Sequence, residues 1–187
     1  MRSAVKNVIF TFSLVGSIAA QAISVGKVDF EKKSVTGVEV ELASSKSNNV
    51  SVCGAHVGGL WSLTRNNVAG IQVGGLAALT EECSGIQVGG LSALAEECSG
   101  IQMGGFGSAC TNEMNGVQIG GLFCFAEKMR GVQIGVNNHG GKDFSGVQIG
   151  LCNNAGEESD NCLQIGVVNW LSANETMKIV PFVNFRF

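Results

Sequence analysis

Along most of the chain a short alternation of apolar and polar residues, closed at both ends by glycine, returns at fixed intervals. It begins as Gly54-Ala-His-Val-Gly58 and continues through Gly70-Ile-Gln-Val-Gly74, Gly85-Ile-Gln-Val-Gly89, Gly100-Ile-Gln-Met-Gly104, Gly116-Val-Gln-Ile-Gly120, Gly131-Val-Gln-Ile-Gly135 and Gly146-Val-Gln-Ile-Gly150 to Cys162-Leu-Gln-Ile-Gly166. These eight copies stand 15 or 16 residues apart, and the two degenerate ones lie at the ends, where terminal units must cap a stack. Alternation with a period of two, carried mostly by β-branched residues, predicts strands. Glycine at both ends of so short a run disfavours helix by about 1 kcal/mol each relative to alanine and permits tight bends.

A fifteen-residue unit at about 3.3 Å per residue follows a path of roughly 50 Å, enough to circle a flattened coil and return one strand spacing further along. The sequence therefore predicts an all-β fold: a parallel β-solenoid of about eight coils of 15–16 residues, with irregular N- and C-terminal caps. Two apolar columns, Ile71 with its equivalents Ile86, Ile101, Val117, Val132, Val147 and Leu163, and Val73 with Val88, Met103, Ile119, Ile134, Ile149 and Ile165, are expected inside. The residue between them is expected to face outward, as a ladder of Gln72, Gln87, Gln102, Gln118, Gln133, Gln148 and Gln164.

Counting the first glycine of a unit as position zero, position 13 holds Cys83, Cys98, Met129 and Phe144, a third inward column. Position 11 holds Glu81, Glu96, Glu127, Lys142 and Glu157, a solvent-facing corner. Later units carry asparagines after the glycine, Asn137-Asn138 and Asn153-Asn154, which suit a stacked turn. The organisation read from these patterns is a signal peptide over 1–22, N-terminal cap strands over 23–53, the repeats over 54–170, and a C-terminal cap strand over 171–187. Within the first cap, the runs Ser34–Leu42 and Asn49–Cys53 are expected as irregular first turns. In the last segment, Pro181 and Arg186 are the kind of residue that blunts a sheet edge.

The signal peptide rests on Arg2 and Lys6, an apolar run from Val8 to about Val15, and small residues ending at Ala22. The apolar run is shorter than the roughly 20 residues a membrane helix needs. Cleavage there would leave ten basic against fifteen acidic residues, moving the formal charge from −3 to −5. No basic cluster remains to neutralise a row of phosphates, which argues against nucleic acid or an anionic membrane surface as partner.

Catalytic chemistry finds little purchase in this composition. Only His56 and His139 are available, each without a companion motif, so the chain is expected not to be an enzyme and to need no cofactor or metal. Seven cysteines lack ligand spacing and read chiefly as small buried side chains; the competing disulfides are Cys83 with Cys98 and Cys152 with Cys162. The glutamate pairs at 81–82, 96–97 and 157–158 could gather Ca²⁺ along an edge, but the aspartate-rich calcium nonapeptide is missing.

The tandem GVQIG units with trailing Asn, together with Ser34-Val-Thr-Gly37, Asn49-Val-Ser-Val-Cys-Gly54 and the closing Pro-Phe-Val-Asn-Phe, resemble the bacterial surface-repeat family built on GLQIGLIN-type units. The resemblance spans residues 34–187 and implies an exported, surface-associated bacterial protein without an assigned activity. The early units depart from it, with Gly-Gly-Leu-Ala-Ala-Leu in place of Gly-Leu-Ile-Asn.

Two classes of function follow. One is a non-catalytic, rigid structural or adhesion surface at the cell envelope, contacting a protein, a glycan or another copy of itself. The alternative is a small outer-membrane β-barrel, which Ile179, Val183, Phe185 and Phe187 would join to the membrane through the C-terminal strand. Barrel strands need about 9–11 residues, and the chain has no Tyr for an interfacial girdle.

Overall fold

A computed structural model describes residues 22–29, 34–41, 44–47, 51–174 and 178–187. The expected signal peptide lies outside these residues except for its last position, Ala22. The described chain is built of strands: β1 Ala22–Asp29, β2 Ser34–Glu41, β3 Ser44–Ser47, β4 Ser51–Gly58, β5 Trp61–Gly74, β6 Ala77–Gly89, β7 Ser92–Gly104, β8 Gly107–Gly120, β9 Phe123–Ile134, β10 Asn137–Ile149, β11 Cys152–Ala155, β12 Cys162–Leu171 and β13 Ile179–Arg186.

From β4 to β12 successive units pair in parallel, and the register is that of the repeat itself. Gly70 pairs with Gly85, Gly85 with Gly100, Gly100 with Gly116, and so on to Gly146 with Cys162. Such pairing across 15 or 16 residues is that of a β-solenoid, one unit to a coil, and not of the antiparallel neighbours that close a membrane barrel. The barrel alternative is therefore not the fold. β2 also pairs in parallel with β4, setting Gly37 against Gly54, so regular coiling reaches back into the segment expected to hold irregular turns. Antiparallel strands finish both ends, β1 on β2 and β13 on β12.

The glycine at position zero is required by its backbone. Gly70, Gly85, Gly100, Gly116, Gly131 and Gly146 hold φ between +131° and +138° in mid-strand, a conformation that side chains with a Cβ rarely adopt. Cys162 takes the equivalent place in the last coil directly after Asn161, which itself has φ 51°.

Position 13 is inward, as the sequence predicts: Cys83, Cys98, Met129 and Phe144 are buried, and Met114 belongs to the same column. They pack with Ala95, Cys110, Ala126, Ala155 and Leu171 from position 10 and its equivalents into one apolar core. Glu81 and Glu96 lie exposed beside it.

Candidate functional site: an amide seam and an aliphatic face

The facing of the GVQIG segment is the reverse of the expected one. Gln72, Gln87, Gln102, Gln118, Gln133, Gln148 and Gln164 are each 0% exposed, whereas Ile71 is 44% exposed and Ile149 and Ile165 are each 41% exposed. Opposite the glutamines stand only small or amide side chains: Ser62, Ala78, Ala93, Ser108, Cys124, Asn138, Asn153 and Asn169, all buried. The coil is pinched here. A Cβ on Gly74 would stand 1.9 Å from the carbonyl oxygen of Ala77, so the two sides of the coil meet almost backbone to backbone. A flat amide fits such a slot. A pair of facing β-branched side chains would force it open.

Burying seven amides costs little only if their hydrogen bonds are made. Each Nε2 from Gln87 onward donates one proton to the Oε1 of the glutamine one coil earlier, at 3.1 Å for Gln87 to Gln72 and 2.8 to 2.9 Å in every later pair. The other proton goes across the seam to a main-chain carbonyl, such as that of Leu94 for Gln87 or Phe125 for Gln118. The glutamines thus tie coil to coil and one side of the coil to the other. The ladder stops at Gln164, whose Oε1 is buried and unpaired, while Asn184 Nδ2, on the capping strand in register with it, is buried and unpaired too.

A second, shorter ladder replaces the small residues in the last coils. Asn138 Nδ2 donates to Asn153 Oδ1 at 2.8 Å, and Asn153 Nδ2 to Asn169 Oδ1 at 2.7 Å. At the other end His56 occupies the glutamine column, pairing in register with Gln72. Its Nδ1 lies 2.9 Å from the Thr64 hydroxyl and 3.2 Å from that of Ser62, and burial pushes its pKa down to about 4. That arrangement suits a neutral ring accepting at Nδ1.

The structure does not bring the two histidines together: His139 stands outside, five coils from His56, stacked on Phe125 at 5.3 Å. Among the described residues no group of three or more His, Cys, Asp and Glu is placed to hold a metal ion. All seven cysteines are free thiols, including both expected disulfide pairs. Cys83 and Cys98 are register partners inside the core, while Cys152 is exposed.

What the sequence reading missed is the outer surface. With the glutamines turned in, the Ile71 and Val73 columns turn out, and a further column at position 6, or position 5 in the last three coils, joins them, with Leu91 and Leu151 each 55% exposed and Phe106 53% exposed. Between the position-3 column and this one, over the last four coils, runs an open apolar trough of about 520 Å³, floored by Gly120, Gly135, Gly150 and Gly166 and walled by Ile134, Ile149 and Leu151. The signal was present in the sequence: position 6 is apolar in the first five units and position 5 in the last three, and the facing residue, at position 8 and then at position 7, is always small or an amide. The opposite side carries aromatic residues among polar ones, with Phe123, Phe125, Asn154 and Trp170 around a shallow hollow.

In comparisons with protein-family models, curated proteins and solved structures, nothing matches this chain.

Proposed function

We propose that the protein is an exported, non-catalytic repeat protein that serves as a rigid structural or adhesive surface at the bacterial cell envelope. The observation that carries this reading is the uninterrupted aliphatic face. Monomeric soluble proteins rarely leave more than about 300–600 Å² of contiguous apolar surface in water, and larger patches mark interaction sites. This face recurs in every coil and is backed by an interior of hydrogen-bonded amides. The glutamines, buried throughout, support the surface without touching a partner.

Export is supported by the order of residues 1–22 and by the resemblance to surface-repeat proteins. The test is localisation in a bacterial host: the full chain is expressed, cells are fractionated, and intact cells are treated with a membrane-impermeant maleimide aimed at exposed Cys53 and Cys152. Recovery in the envelope or the medium, with residues 1–22 removed, is the expected result. A protein that stays in the cytosol with its N-terminus uncut would overturn the reading.

A further inference from the structure

We infer that the partner of the aliphatic face is a second copy of this chain, packed face to face about a two-fold axis. The inference rests on the binding-surface reading above and names its occupant. Eight rungs at about 4.8 Å and five residues at about 3.3 Å give a face of roughly 38 by 17 Å, so pairing two copies removes roughly 1,300 Å² from water. Specific stable interfaces bury about 1,200–2,000 Å².

The surface is self-complementary in shape. The apolar column at position 6, shifted to position 5 in the last three coils, forms a ridge one side chain wide, as in Leu91, Leu122 and Leu151, and a glycine-floored trough runs beside it over the last four coils. A two-fold axis lying in the interface, parallel to the rod and midway between ridge and trough, lays each ridge of the last four coils into the other copy's trough, an isologous contact that closes on itself.

Charge argues against other occupants. Positions 1, 3, 5 and 6 hold no Asp, Glu, Lys or Arg in any of the eight units, so nothing there selects a polar or charged protein. The net charge of −3 opposes an anionic membrane surface. The exposed Glu81, Glu96 and Glu97 lie away from these positions, so pairing does not press acids together.

The experiment is sedimentation equilibrium of the full chain between about 1 and 100 μM, beside a variant carrying Leu91→Glu, Leu122→Glu and Leu151→Glu and a milder one carrying Leu122→Glu alone. The wild type is expected as a dimer, the single variant as a weakened dimer, and the triple variant as a monomer, its dissociation constant raised at least about 100-fold. All three side chains are exposed, so circular dichroism and melting of the separated monomers should match. If the triple variant fails to fold, the single variant carries the test. A wild type that is monomeric throughout, or a dimer unaffected by Leu122→Glu, overturns the inference. So does a monomer that instead floats with phosphatidylcholine vesicles, since lipid would then be the occupant. Fractionation of cells reads the envelope assignment separately, so either idea can fail alone.

Discussion

Gln118 donates one amide proton to Gln102 Oε1 at 2.9 Å and the other to the carbonyl of Phe125 at 2.8 Å, from a position fully closed to water. Both amide protons are therefore used, one along the stack and one across it. Changing Gln102, Gln118 and Gln133 together to Thr, a good strand residue, removes these bonds and strands the carbonyls of Ala109, Phe125 and His139. Buried groups left unpaired cost about 1–3 kcal/mol each. The triple variant should lose several kcal/mol in a denaturant titration, and unchanged stability would refute the role of the ladder.

Glycine at position 4 sets the pinch of the coil. Gly74→Val places its Cβ at 1.9 Å from the Ala77 carbonyl oxygen, a contact only a shift of backbone can relieve. A loss of more than about 4 kcal/mol is expected, whereas exposed Glu81→Gln should change stability by less than about 0.5 kcal/mol. Similar melting temperatures for the two variants would contradict the close approach.

His56 makes stability depend on pH. Below pH 6.5 the unfolded chain takes a proton there that the folded protein refuses until about pH 4, so its contribution is complete above 6.5 and fades as the pH falls toward 4. The loss across that window is about 3 kcal/mol. His56→Gln extends the glutamine column and should flatten the profile. Carboxylates titrate in both proteins, so the difference between the two curves isolates the histidine, and parallel curves would reject this account.

The thiols should divide sharply by reactivity. Cys53 and Cys152 are exposed and the other five buried, with burial pushing Cys110 and Cys162 up to about 11. A disulfide reagent at pH 8 should titrate two thiols in the native protein and seven after unfolding. Rapid modification of Cys83 or Cys98 in the folded state would show that the core is open.

The period, the strand character and the register of the stack were legible in the sequence, because a repeat of 15 or 16 residues leaves few other ways to bury its share of surface. The column of Cys83, Cys98 and Met129 was legible for the same reason. The facing of Ile71, Gln72 and Val73 was not, since alternation shows that two sets of side chains point opposite ways without saying which set is inside. Hydrophobicity favours isoleucine for the interior; the decisive facts are steric and lie elsewhere in the unit. Position 4 is glycine and the residue that faces the glutamine is Ser, Ala, Cys or Asn, too little separation for two aliphatic layers and enough for one amide. Once the glutamines are enclosed, the aliphatic residues have only the outside left.

Every bond of the glutamine ladder points the same way, its N–H toward the N-terminal end and its carbonyl toward the C-terminal end. Seven side-chain amides, each comparable to a peptide unit of about 3.5 D, thus add along the rod axis as backbone dipoles add in an α-helix. The three asparagines of the last coils run oppositely and cancel part of the sum. The remainder gives the rod a positive and a negative pole built from neutral side chains and hidden from screening ions. Two rods laid side by side gain from lying antiparallel and lose when parallel, so this dipole works against the parallel pair that a two-fold axis along the rod gives, and the aliphatic contact must outweigh it.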